Sequence, residues 1–205
     1  MDLRLKMNSI KRLIIVSTCL LTACAPPRPA EEPPTNRVIP LEERKAETAT
    51  ISSWNIHGGI AAKNKTKGFT ATINWAQSGP SSYQIRLVGP LGGGSIIINR
   101  KGGNVTYQDG PKVYRSNSAE ELLQKHTGVR LPVNSLYYWV RGLPAPGSVQ
   151  SEKHDKYNHL IQLRQAGYTV NFTKFTSVRG IDLPSMIRLD GQGVMIKVVV
   201  KSWGA

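Results

Sequence analysis

The chain has 205 residues, 40% hydrophobic and 20% charged, which suits one packed domain or two small ones and excludes wholesale disorder. Its 2 cysteines are too few for a disulfide scaffold or for a zinc site built mainly from thiolates. Lysine and arginine outnumber the acids by 27 to 13, and the resulting +14 raises nucleic acid and anionic membranes as partners.

Residues 1–23 read as an export signal. Arg4, Lys6, Lys11 and Arg12 form a basic start, and Leu13 to Thr22 is a ten-residue uncharged apolar stretch, too short to cross a bilayer. Leu21-Thr22-Ala23-Cys24 resembles the bacterial lipobox. That resemblance implies cleavage before Cys24 and acylation of Cys24, and Cys19 would leave with the signal. It also implies the outer membrane as destination, because Ala25, not Asp, follows the cysteine. Without residues 1–23 the charge is +11, four bases and one acid having gone. Export argues against nucleic acid as a partner and leaves two readings of the basic surface: one that faces anionic lipid or an acidic protein, and one that is simply a solvated face.

Residues 24–40 read as the lipidated cysteine and a tether. Residues 25–40 hold six of the 13 prolines, so they favour extended polyproline with a reach of up to roughly 50 Å. Pro40-Leu41-Glu42-Glu43 then has the features of a helix start, and the pattern predicts a helix over 41–52. Residues 41–205 form the folded domain.

From Trp54 onward the apolar period is two. Trp54, Ile56, Gly58, Ile60 and Ala62 alternate with more polar or smaller neighbours, as do Phe69 to Trp75 and Tyr83 to Leu87. Further strands are predicted at 94–99, 103–108, 112–115, 148–154, 158–166, 168–175, 185–190 and 194–203, about eleven in all. Short connections such as Gly102-Gly103, Asp109-Gly110 and Asp190-Gly191 require antiparallel neighbours.

Two helices interrupt this series. Ser118-Ala119-Glu120-Glu121 matches a capping box and Gly128 a left-handed stop. Pro132 then opens a segment in which Val133, Leu136, Tyr137 and Val140 make one apolar stripe, ended by Gly142. The fold class is mainly β with a helical lid: a long, strongly curved antiparallel sheet with helices over one side. A closed barrel and a half-open one roofed by helices both satisfy the pattern.

Reactive constellations are absent from the motif inventory. His57, His126, His154 and His159 lack metal-ligand spacing. The glycine-rich run Gly89–Ser95 lacks the lysine of a phosphate loop, and Gly191-x-Gly193 lacks the third glycine of a dinucleotide fingerprint. Asp182 and Asp190 are isolated carboxylates. No enzyme activity, cofactor or metal is expected. The Gly89–Ser95 loop instead places Leu91 at its tip, where a leucine is either tucked into the core or set for contact.

Taken together, Trp54 opening the first strand, Pro90-Leu91-Gly92, Thr127-Gly128, Leu131-Pro132, Ser135-Leu136, Trp139 and Gly142-Leu143-Pro144 resemble the LolB family of outer-membrane lipoprotein receptors. The resemblance covers essentially all of 41–205. It implies an incomplete barrel of eleven antiparallel strands enclosing an apolar cavity for acyl chains, with helices as a lid. It further implies a LolA-like periplasmic carrier as partner, client acyl chains as ligand, and Leu91 as the protruding residue that delivers lipoprotein into the membrane. The run Gly92-Gly93-Gly94 departs from the family pattern. Inward-facing candidates for the cavity are Ile73, Trp75, Ile85, Leu87, Ile96, Ile98, Leu136, Tyr137, Val140, Phe172, Ile187 and Val198. A monomer is expected. The alternative reading is an adaptor lipoprotein that binds an envelope protein or polymer through its basic face.

Overall fold

The computed structural model describes residues 32–204; the export signal, Cys24 and the first part of the proline-rich segment lie outside the described residues. Eleven strands make one antiparallel sheet. They are β1 (Trp54–Lys63), β2 (Gly68–Ser78), β3 (Ser82–Val88), β4 (Ser95–Lys101), β5 (Asn104–Asp109), β6 (Lys112–Ser116), β7 (Val149–His154), β8 (Leu160–Gln165), β9 (Tyr168–Val178), β10 (Ile181–Gly191) and β11 (Val194–Gly204). The described α-helices are α1 (Leu41–Ala49), α2 (Ala119–Thr127) and α3 (Val133–Trp139).

Strand order is β6-β5-β4-β3-β2-β1-β11-β10-β9-β8-β7, two meanders joined where β1 pairs with β11. The sheet is not closed: β6 and β7 are its edges, and α2 and α3 lie in the connection between them. Lys112 and Arg115 on β6 and Lys153 on β7 charge these edges against pairing with other chains.

The curvature follows from what α3 touches. Asn134 accepts a hydrogen bond from Arg100 of β4 at 2.7 Å, and Trp139 Nε1 donates to Gln165 Oε1 of β8 at 3.0 Å. In the sheet order β4 and β8 stand seven places apart. A flat sheet would separate them by roughly 34 Å, yet a seven-residue helix about 10 Å long bridges them. The sheet must curl around the helix.

The sequence explains the lid. Ser118 Oγ accepts from the Glu121 amide at 3.2 Å, the first half of the capping box. The second half differs from expectation. Glu121 does not reach the Ser118 amide; Ser116 Oγ intervenes, accepting from that amide and donating to Glu121 Oε2, both at 3.1 Å. Gly128 ends α2 at φ 76. His126 stacks on Tyr107 and tilts against Tyr114, tying α2 to β5 and β6. Burial pushes the Tyr107 hydroxyl up to about 12, which keeps it neutral in this packing. All four members of the α3 stripe, Val133, Leu136, Tyr137 and Val140, are buried.

The larger boundary differences from the sequence reading are three. The first helix stops at Ala49, three residues early, where Thr50 caps it and its hydroxyl donates to the Glu47 carbonyl. β9 and β10 extend to Val178 and from Ile181, joined at Arg179-Gly180 with φ 52 and 79, a two-residue hairpin turn. Pro184 consequently sits inside β10, and the pairing register with β9 shifts immediately after it, as a residue without an amide proton demands.

Part of the segment expected to be a tether belongs to the domain. Residues 32–40 lie along the domain. The Glu32 carbonyl accepts from Thr176 Oγ1 at 2.7 Å and the Ser177 amide at 3.1 Å. Asp182 accepts from both the Thr35 amide (2.7 Å) and hydroxyl (2.8 Å). Arg44 and Asn158 donate to the Arg37 and Ile39 carbonyls. His159 supports this clamp: its Nδ1 meets Asp155 and its Nε2 meets Asp182, each at 2.9 Å, while Phe175 stacks on the ring. Burial raises the Asp182 carboxyl, but the Thr35 amide and hydroxyl and the His159 ring together hold it below the usual carboxylate value.

The sign of the pH effect follows. A depressed carboxyl contributes stability above the ordinary aspartate pKa of about 3.9 and loses it as pH falls further. Thermal stability should therefore drop on acidification below that value, with the Thr35 amide becoming exchangeable first. Asp182→Asn should flatten this acid limb and cost about 3 kcal/mol at neutral pH. Unfolding curves against pH with hydrogen exchange at Thr35 check both.

Candidate functional site

At one end of the inward face the side chains shorten. β1 offers Trp54, Ile56, Ile60 and then Ala62; β2, running opposite, offers Trp75, Ile73 and then Ala71. Their register pairs Ile56 with Trp75, Ile60 with Ala71 and Ala62 with Phe69. The bulky end is plugged: Trp54 meets Trp75 edge-on at 4.8 Å and Trp203 at 5.6 Å, and stacks with Tyr137 at 6.4 Å. Eight residues along β1, roughly 26 Å away, the alanines leave a hollow of about 1060 Å³. Apolar ligand pockets span ~300–1,000 Å³, so this one is large.

Ala62, Phe69, Ala71, Leu87, Ile96, Leu189 and Ile196 supply its apolar wall. Thr127 at the end of α2 and the loop residues Gly89, Pro90, Gly93 and Gly94 border it. Of the twelve side chains expected there, Leu87 and Ile96 are lining residues. Ile73, Trp75, Ile85, Ile98, Leu136, Tyr137, Val140, Phe172, Ile187 and Val198 face inward but are buried in packed core. The reason is the taper: α3 and the aromatic plug fill the middle and far end, so inward parity alone does not put a residue at the hollow. Ala62 and Ala71 were the missed signal, two small residues at the same end of neighbouring strands.

Leu91 stands on the rim. It lies in a 3-10 turn, Pro90–Gly92, with left-handed φ 54 and ψ 27. That conformation costs a leucine about 1–2 kcal/mol. Its side chain is 108% exposed, more than in an extended reference peptide, so neither the strain nor the exposure is offset by packing. The glycines around it are cross-braced. The Gly89 amide donates to the Gly94 carbonyl at 3.1 Å and the Gly93 amide to the Pro90 carbonyl at 3.0 Å. A Cβ on Gly89 would lie 2.5 Å from the Gly93 carbonyl oxygen, so the brace depends on glycine there.

Charged residues ring the opening. Lys63, Arg188 and Lys197 border it together with Asp109 and Asp190. The site is therefore an apolar hollow with a charged margin and one exposed apolar side chain on the loop beside it, the features by which apolar ligands and apolar surfaces are bound.

A half-open antiparallel sheet wrapped around helices, with a hollow at one end, defines the class of fold. The crystal structure of a LolA superfamily protein from Nitrosomonas europaea has this fold: TM-score 0.52 at 11% identity, covering 80% of this chain and 93% of that one. A family model described as outer membrane lipoprotein LolB matches residues 52–203. The outer-membrane lipoprotein LolB of Coxiella burnetii is 34% identical over 192 residues, 93% of this chain and 90% of that protein. The LolB of Pseudomonas paraeruginosa is 34% identical over 160 residues, 78% of each chain. The chain belongs to the LolB family of outer-membrane lipoproteins.

The hollow can be tested by filling it. Ala71→Phe places an aromatic ring in the space that the taper leaves open. Displacement of a fluorescent fatty acid should weaken at least tenfold in this variant while its melting temperature stays within a few degrees of the parent. Unchanged affinity would mean that acyl chains bind elsewhere.

Proposed function

We propose that this chain is a lipid-anchored receptor on the periplasmic side of the outer membrane. It takes lipoproteins from a LolA-like periplasmic carrier, shelters their acyl chains in the hollow and delivers them into the membrane. The hollow of about 1060 Å³, with Leu91 exposed on its rim, is the observation that carries this reading.

Energetics set the task. Each methylene exposed to water costs ~0.8 kcal/mol, so three acyl chains carried naked would cost on the order of tens of kcal/mol. The chain has no nucleotide-binding motif to drive transfer. Delivery is therefore binding followed by release, running down a gradient of affinity from carrier to receptor to bilayer. Family membership and the hollow support this scheme; Leu91 supplies the step at the bilayer, entering the lipid surface while the neighbouring opening discharges its contents.

Leu91→Glu should leave capture of a client from the carrier intact and block its incorporation into liposomes; normal incorporation would remove the loop from the mechanism. The N-terminal part of the scheme rests on the lipobox. Mass spectrometry of the mature protein should find Cys24 as the first residue, bearing a diacylglycerol thioether and an N-acyl group. A different terminus or a bare thiol would argue against anchoring.

A further inference from the structure

The β1–β2 turn next to the hollow carries three lysines in five residues, Lys63-Asn64-Lys65-Thr66-Lys67. All three are exposed, and no salt bridge among the described residues involves them. Like charges this close repel, and the carboxylates nearest the opening, Asp109 and Asp190, form no ion pair with them.

The turn that holds them is built. Asn64 Oδ1 accepts from the Thr66 and Lys67 amides at 3.0 and 2.8 Å, and the Asn64 amide donates to the Lys67 carbonyl at 2.8 Å. Asn64 Nδ2 donates to the Gly128 carbonyl at 2.8 Å, pinning the turn to the end of α2. The Lys67 stem passes across Gly128, where a Cβ would lie 2.5 Å from Lys67 Cδ. The turn and the Lys67 stem are thus held in place beside the lid.

Topology puts them beside Leu91. β3 ends at Val88, opposite Thr72 of β2, and the Leu91 turn follows directly. β2 continues four residues past that level to Gly68, an overhang of roughly 13 Å. The lysine turn and the Leu91 turn therefore project from neighbouring strands at the same end of the sheet, and both border the hollow.

We infer that Lys63, Lys65 and Lys67 bind the headgroups of anionic phospholipids and so set the mouth of the hollow against the membrane. This rests on the membrane-delivery reading of Leu91 and deepens it. An exposed apolar tip flanked by unpaired, long-stemmed cations suits an anionic bilayer surface, where the tip enters the acyl boundary and the ammonium groups stay at the phosphates. Leu91 provides penetration without selectivity; the lysines provide the preference for negative lipid and the orientation.

The experiment uses the mature lipidated protein in vesicles, with an environment-sensitive fluorophore on Leu91→Cys and quenching by brominated lipid. In phosphatidylcholine–phosphatidylglycerol vesicles the probe should be far more immersed than in phosphatidylcholine alone, and added salt should remove the difference. At ~1 kcal/mol per lysine, Lys63→Gln/Lys65→Gln/Lys67→Gln should lower the immersed-to-free ratio on anionic vesicles on the order of 100-fold, and leave it unchanged on neutral ones. The exposed triple Lys174→Gln/Arg179→Gln/Lys201→Gln removes the same charge elsewhere and should change little. Equal immersion in the two lipids, or a lysine-turn variant that behaves as its parent, overturns the inference while Leu91 delivery stands. Normal immersion combined with lost client capture overturns it too, and assigns the turn to an acidic carrier. A probe that stays unquenched in every vesicle sinks the membrane reading of Leu91 and this inference with it.

Discussion

An apolar volume stays open inside a protein only where opposing side chains are too short to meet across it and the surrounding backbone is too well braced to collapse. Here the first condition comes from Ala62 and Ala71, and the second from the hydrogen-bonded pairing of β3, β2, β1 and β11, which is regular on the Ala62 side of a single irregularity at His57-Gly58. The aromatic plug at the far end keeps the sheet curled at the width the indoles set. Replacing those indoles would affect the hollow indirectly, by letting the walls approach. Core and container are therefore one graded arrangement: the same strands are packed solid at Trp54 and empty at Ala62.

Much of this was legible in the sequence. Period-two alternation located the eleven strands to within a few residues, because one face of nearly every strand is wet and the parity signal survives. It fell short at β9 and β10, whose hairpin runs on to Val178 and from Ile181, with Pro184 absorbed inside β10 by an irregular register. The helix stripe at Val133, Leu136, Tyr137 and Val140 was clear for the same reason: one face must be buried. The hollow was less legible. Parity states which side a residue faces but not how much space lies in front of it, and that depends on which residues stand opposite. Once the register is known, the pairing of Ile60 with Ala71 shows the space at once. Leu91 was visible through its flanking proline and glycine, but its exposure rests on a backbone conformation that a single sequence does not report.

The clamp around Asp182 was not foreseeable either. Asp182, Arg44, Thr35 and the Asp155–His159 loop come from four separate stretches, and none has a motif's spacing. Their convergence satisfies each polar group in turn: two carboxylates receive both nitrogens of one imidazole, and the remaining acceptor capacity is taken by Thr35 and approached by Arg44 at 3.6 Å. Such a network is stable only when complete. Its effect is to make the end of the proline-rich segment part of the domain, something composition alone reads as free linker.

That has a consequence for the geometry of delivery. If the whole span from Cys24 to Pro40 were free, its reach of up to roughly 50 Å would let the domain tumble at a distance from the bilayer. With attachment beginning at Glu32, the eight residues from Cys24 reach at most about 28 Å even when fully extended. In the proposed anchoring through Cys24, a shorter leash would raise the effective concentration of the rim at the membrane surface and limit the orientations the domain samples. Leu91 is a single side chain, and burying it in lipid contributes only about 1.5–3 kcal/mol. In the delivery proposed above, a contact that weak would be productive only when the remainder of the molecule has already been brought near and turned the right way, and attachment of the segment from Glu32 together with the charged margin of the hollow would meet that requirement.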